Sequence, residues 1–196
     1  MNRFVLVLIA LLSWPLLAPA QSPRVGDLYA RGLAGDKEAV SECIRLLEEI
    51  LVTKPDDQLA RVYLGSAYTL RARDRSFGKS KLDALHKGVA LMDEAAAAAP
   101  KNANVLLTRA VTNEALPVFL GRRKAARAQL EELVAQVEKD PAALKPADKQ
   151  LLYLNAGQAA QHAGDKKRAT ELWQRGLGIV ADAKLTAEIK AALAQH

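Results

Sequence analysis

Cysteine is almost missing from this chain. Cys43 is the only one in 196 residues, so no internal disulfide can form. Its bland role is that of a small buried helix residue. Aromatic residues are scarce, at 5% of the chain, and few strands could be built from what remains. Metal-ligand spacing is absent: His86, His162 and His196 stand far apart, and Cys43 has no partner nearby. The acidic pairs Glu48-Glu49, Asp93-Glu94 and Glu131-Glu132 are sequence neighbours, which diverge on a helix and cannot form a carboxylate dyad. No serine sits in a nucleophile elbow. Gly78-Lys79-Ser80 has the tail of a phosphate-binding loop, but Arg73 occupies the place of the required first glycine. Gly176-Leu177-Gly178 is too short for a dinucleotide fingerprint and reads as a loose helix end. These absences argue against an enzyme and imply no cofactor and no metal. Long apolar runs are lacking after residue 20, so nothing there suits a membrane span.

What the chain does have begins at its start. Met1-Asn2-Arg3 is basic, Phe4 to Leu12 carries no charge, and Ala18-Pro19-Ala20 offers a small-x-small cleavage pattern before Gln21. That order predicts a signal peptide over 1–20, removed to leave a domain over 21–196 in the periplasm or outside the cell. An uncleaved anchor is the alternative, but Phe4 to Ala20 is short for a span and holds Pro15 and Pro19. Gln21 rather than cysteine follows the cut, so no lipid is attached there.

The formal charge is +6, and losing Arg3 with the leader lowers it by one. Nucleic acid is a poor partner for an exported chain. Acidic proteins, anionic lipid headgroups or envelope polymers suit the charge better.

The rest is rich in Ala, Leu, Lys, Glu and Arg, all strong helix formers. A repeat runs through it. Cys43-x3-Leu47-x7-Pro55 is followed by Gly88-x3-Met92-x7-Pro100 and Gln129-x3-Leu133-x7-Pro141. Ala169-x3-Trp173 starts a further copy without its proline. A period near 40 residues marks stacked supersecondary units. Leu130, Leu133, Val134 and Val137 follow the spacing of one buried helical face, so each unit reads as a helix pair. Gly65 is placed where a neighbouring helix comes close. Ser80-x-x-Asp83 reads as a capping box, Pro146 as a first-turn residue and Asp165 as an N-cap. The segment from about Ala183 to Gln195 reads as a capping helix, with Leu185, Ile189 and Leu193 facing the last unit. Ala95 to Ala99 reads as the end of a closely packed helix. Phe77 reads as a packed loop residue, with an exposed anchor for a partner as the alternative.

Arg61-x2-Leu64-Gly65-x2-Tyr68 through Pro100 resembles a tetratricopeptide repeat (TPR). So does Tyr153-x2-Ala156-Gly157-x2-Ala160 with Gly164-Asp165 and Ala169-x3-Trp173. The unit from Asn104 to Pro141 matches weakly, since Arg109-Ala110 stands where Leu-Gly is usual, and the unit from Arg24 to Pro55 keeps mainly its second helix. HEAT repeats have similar periods, but the Leu-Gly-x2-Tyr signature and the closing prolines favour TPR. The resemblance implies an all-α, right-handed solenoid of antiparallel helix pairs with a C-terminal cap. It also implies a non-catalytic scaffold that holds a protein or peptide in a groove, with Gln58, Arg61, Asn155 and Gln158 as groove-lining residues. An accessory or carrier subunit for an envelope enzyme acting on acidic polymer or lipid is the alternative. That reading would use a basic edge of Arg71, Arg73, Arg75, Arg122, Arg123, Lys124, Lys166, Lys167 and Arg168, with Lys79 and Lys81 beside them. Arg109, in an inward-facing position, requires a carboxylate, and Asp93 and Glu94 are the nearest by topology.

Overall fold

Aspartate and asparagine start most of the helices. In the computed structural model, which describes residues 23–195, nine α-helices and no strand are found among the described residues. The predicted signal peptide and its cleavage point lie outside them. The helices are α1 (Pro23–Leu33), α2 (Lys37–Thr53), α3 (Gln58–Arg73), α4 (Lys79–Ala98), α5 (Ala103–Ala115), α6 (Arg123–Lys139), α7 (Pro146–His162), α8 (Lys166–Leu177) and α9 (Ala183–Ala194). Asp36, Asp57, Asn102, Asp165 and Asp182 each accept a backbone N–H from the first turn of the helix that follows. Each such cap contributes about 1 kcal/mol. Pro146 opens α7, where its missing N–H costs nothing.

The helices pair as α1–α2, α3–α4, α5–α6 and α7–α8, and α9 packs on α7 and α8. The first helices form one row: α1 touches α3, α3 touches α5, and α5 touches α7. This is the all-α solenoid that the repeat predicts. The four recurring large residues, Leu47, Met92, Leu133 and Trp173, sit in the second helices and are at most 1% exposed. Pro55, Pro100 and Pro141 lie in the turns that follow α2, α4 and α6. One apolar cluster joins α1 to α3, and a larger one runs from α5 to α9, with Ile189 of the cap fully buried in it.

Three expectations need correction. The first unit is a complete pair, because α1 is a full helix with Val25 and Leu28 buried. Ser80-x-x-Asp83 is not a capping box. Helix α4 starts at Lys79 after Gly78, no side chain caps it, and Asp83 pairs instead with Lys79 at 3.0 Å. Phe77 does not fold back; it is 83% exposed. Cys43 is buried, and that burial pushes its thiol up to about 11, so it stays protonated and inert.

Arg109 finds its carboxylate. Its Nε and Nη2 donate to Asp93 Oδ1 at 2.9 and 2.7 Å, and Nη1 donates to Gln129 Oε1 at 3.0 Å. Arg122 Nη2 donates to the other oxygen of Asp93 at 2.5 Å. One carboxylate thus ties α4, α5 and the turn into α6. The side chains of Arg109 and Asp93 are 19% and 37% exposed, so their desolvation is partial. Asp93→Ala orphans two guanidinium groups and should cost about 2 kcal/mol, below the value for a fully buried pair. Partial burial alone would raise the Asp93 pKa. Hydrogen bonds from Arg122 and Arg109 outweigh it and hold the carboxyl below its usual range. A lowered folded pKa means that the contribution is present above the unfolded value, near 4, and is lost as pH falls below it. Thermal melts from pH 7 to pH 3 check this: the wild type should approach the Asp93→Ala variant at the acid end, and parallel curves would refute it.

Candidate functional site

A cavity of about 410 Å³ opens along the row of first helices. Its walls come from α1 (Tyr29, Leu33), α3 (Ser66, Thr69, Leu70, Arg73) and α5 (Val111, Thr112, Ala115), closed by Lys81 and Leu85 of α4 and by Leu116 and Pro117. Most of the lining is apolar. The polar groups in it bond to one another. Tyr29 and Ser66 hydroxyls lie 2.6 Å apart, Ser66 and Thr112 hydroxyls 2.8 Å apart, and Thr112 donates to the Thr108 carbonyl at 2.8 Å. Thr69 donates to the Ser66 carbonyl. Three repeats are therefore stitched by hydroxyls, and none of these groups demands a polar ligand. Burial raises the Tyr29 phenol to about 12, despite its bond to Ser66. Tyr63 packs edge-on against Tyr29, ring centroids 5.1 Å apart, and burial raises its phenol too.

Most of the large exposed hydrophobic residues lie in, or near in sequence to, the segments that line this cavity. Leu33 lines it and is 55% exposed. Phe77 lies in the loop between the lining residues Arg73 and Lys81. Val118 and Phe119, 69% and 70% exposed, directly follow the lining residue Pro117. These four are most of the large exposed hydrophobic residues among the described residues; only Val52 and Val180 lie elsewhere. Arg73 holds the α1 and α3 ends together by donating to the Gly32 and Leu33 carbonyls and to Asp74.

The groove residues predicted from the repeat lie elsewhere. Gln58 begins α3, and Arg61 donates to the Pro55 carbonyl at 2.6 Å, so both sit at the end of α3 away from the cavity. Asn155 donates back to the Leu151 carbonyl within α7, and Gln158 is half-buried on the same helix. Helix α5 separates the two pairs. The structure does not bring all four into one site. Ser66 and Thr69, which do line the cavity, lie one and four residues after Gly65. The signal was there: two hydroxyl residues one helical turn apart in an otherwise apolar stretch.

The basic edge divides. Arg73, Arg122, Arg123 and Arg168 have structural work: Arg123 donates to the Leu116 carbonyl, and Arg168 pairs with Glu131 at 2.7 Å. Lys124, Lys166 and Lys167 are exposed. Arg71 lies over the Tyr68 ring at 4.9 Å, and Arg75 donates to the Ser80 hydroxyl. No cluster of His, Cys, Asp or Glu able to hold a metal occurs among the described residues, and no helix among them is long and apolar enough to cross a membrane.

Comparison with known proteins bears on this architecture. No family model matches the chain, and no curated protein matches it in sequence. The crystal structure of a thermophilic TPR protein from Thermus thermophilus superimposes with a TM-score of 0.62, over 87% of this chain and 81% of that one, at 17% identity. This chain has the TPR fold. A MamA mutant is also similar, at 20% identity and a TM-score of 0.47, over 88% of this chain and 85% of that one. In TPR terms α1, α3, α5 and α7 are the first helices of four repeats, and the cavity lies on the row that they form.

Proposed function

We propose that this TPR-fold protein is a non-catalytic interaction module of the bacterial cell envelope, which seats an apolar side chain of a partner protein in the cavity across α1, α3 and α5. The observation that carries the reading is the mostly apolar cavity of about 410 Å³ walled by three successive repeats, with the exposed Leu33 in its lining. Exposed apolar surface of this kind marks contact sites. Its size suits one or two large side chains. The preformed walls lower the ordering cost of binding. Residues 1–20 support export of the chain.

The test fills the cavity without touching its hydroxyl chain. Ala115→Trp places an indole in the space, and Leu33→Asp puts a charge on the exposed part of its wall. A partner captured from periplasmic extract by the wild type should lose about tenfold or more in affinity with either variant, as when a hot-spot pocket is blocked. The melting temperature should stay close to the wild type. Equal capture by all three proteins would refute the reading, and specific recovery of polysaccharide or lipid instead of protein would favour the carrier alternative. Mass spectrometry of the protein from its host should find Gln21 at the N-terminus. An intact Met1 would refute export with cleavage.

A further inference from the structure

Two notches lie side by side at the turn between α3 and α4. The larger, about 410 Å³, is lined by Lys37, Val40, Ser41, Arg71, Asp74 and Arg75. The smaller, about 240 Å³, shares Arg71 and Arg75 with it and adds Tyr68, Ser80, Asp83 and Lys87 among its walls. Their walls thus carry four cations and two carboxylates. Both carboxylates are already occupied by cations from outside the notches. Asp74 takes Arg73 at 2.9 Å, and Asp83 takes Lys79 at 3.0 Å. Lys87 donates to the Tyr68 hydroxyl at 2.6 Å and pairs with Glu48 at 3.5 Å. Lys37, Arg71 and Arg75 face no carboxylate within ion-pair distance among the described residues.

This is unlike the rest of the basic edge. Arg122 and Arg168 are satisfied by Asp93 and Glu131, which belong to neighbouring helices. At the notches Glu48 of α2 does this for Lys87, but no acid does it for Lys37, Arg71 or Arg75. Local stability accounts for Arg71, which lies in the last turn of α3 where a positive charge suits the helix dipole, but not for the rest of the surplus. Lys37 opens α2 and Lys79 opens α4, where a positive charge opposes the helix dipole. Helix α4 also begins without a side-chain cap and without an acid in its first turn. Arg71 and Lys87 both approach the Tyr68 ring, at 4.9 and 4.2 Å, so two like charges are held near one aromatic side chain. Glu48, which accepts from the Tyr68 hydroxyl at 2.6 Å, offsets the charge of Lys87 and leaves that of Arg71 without a carboxylate.

We infer that the paired notches around Arg71 and Arg75 form a binding site for a phosphate-bearing ligand. Guanidinium groups present a planar fork that fits phosphate oxygens, and they remain charged at any physiological pH. Lys37 and Lys87 add point charges on either side, and the Ser80 hydroxyl, which accepts from Arg75, can donate. Gly78-Lys79-Ser80 opens a helix here with no strand before it, so this is a surface phosphate seat and not a nucleotide-binding loop. It uses none of the apolar cavity's lining residues, and it stands or falls separately from the partner-binding reading.

Titration calorimetry of the mature chain with inorganic phosphate and with pyrophosphate tests the site, alongside co-sedimentation with phosphatidylglycerol and phosphatidylcholine vesicles. The expected result is saturable binding that weakens with added salt and falls roughly tenfold for each guanidinium removed in Arg71→Gln and Arg75→Gln. Lys37→Gln, a position with no aromatic or carboxylate contact to disturb, should weaken it as well, and all three variants should keep the wild-type melting temperature. Lys124→Gln, on the same edge, should bind as the wild type. Heat with free phosphate or pyrophosphate identifies a soluble ligand. Retention on phosphatidylglycerol alone, with the same variant pattern, identifies a lipid headgroup. No binding in either arm overturns the inference, and so does an equal loss in Lys124→Gln, which would reveal only diffuse attraction to a basic edge.

Discussion

Gly65→Ala and Gly88→Ala should each destabilise the protein by about 2–3 kcal/mol, although alanine is the better helix former. An alanine gains up to about 1 kcal/mol of helix propensity over glycine. Packing reverses that sign. A Cβ on Gly65 would lie 2.6 Å from the Gly88 carbonyl oxygen and 2.7 Å from Met92 Cγ; one on Gly88 would lie 2.6 Å from the Gly65 carbonyl oxygen. The nearest obstacle in each case is a backbone carbonyl of the facing helix, so no rotamer change relieves it. Helices α3 and α4 would have to separate, loosening Met92 and Val62, both fully buried. Overpacking of this kind commonly costs 1–3 kcal/mol, about the size needed to outweigh the propensity gain. Urea melts of the single variants and the double variant provide the check. Because one separation relieves both contacts, the double variant should lose less than the two singles together. Unchanged or raised midpoints would show that the helices yield freely.

Trp173→Ala should be the most damaging single truncation, at about 3–5 kcal/mol. The indole is 0% exposed, donates to the Leu154 carbonyl at 3.1 Å and lies against Gly157. A Cβ on Gly157 would come within 2.3 Å of the indole nitrogen, so the glycine makes the seat for the ring. Truncation leaves a cavity at the junction of α7 and α8 and removes the indole's hydrogen bond to the Leu154 carbonyl. Repeat arrays are held by neighbour contacts, so the damage should be local before it is global. Hydrogen exchange should show α7, α8 and α9 losing protection first, while α1 to α3, which belong to a separate apolar cluster, keep theirs. Uniform loss along the chain would mean that the array melts as one unit.

The repeat was readable because its physics is local. Leu47, Met92, Leu133 and Trp173 are spaced by the length of a helix pair, and each had to be buried. Asp165 and Pro146 were readable for the same reason, since a cap or a first-turn proline acts within four residues. Gly65 was legible from its motif, but its partner Gly88 was not, because only the α3–α4 crossing selects it. The pairing of Arg109 with Asp93 followed from the cost of an inward guanidinium, whereas the second claim on Asp93, by Arg122, depends on how the α5–α6 turn folds back.

Sequence alone determined the helical repeat, its four units and its cap, because helix propensity, capping and apolar period are properties of short segments. It also settled that no disulfide braces the fold, since Cys43 has no second cysteine to meet. Tertiary structure alone decided the cavity and the fate of the charges. Tyr29, Ser66 and Thr112 are 37 and 46 residues apart in the chain, and only the stacking of α1, α3 and α5 brings their hydroxyls together. That Phe77 is exposed, at 83%, was also decided only by the folded structure. Arg122 and Arg168 found carboxylates across helices while Arg71 and Arg75 did not, a distinction that depends on which residues face one another at 3 Å and leaves no trace in a one-dimensional count of charge.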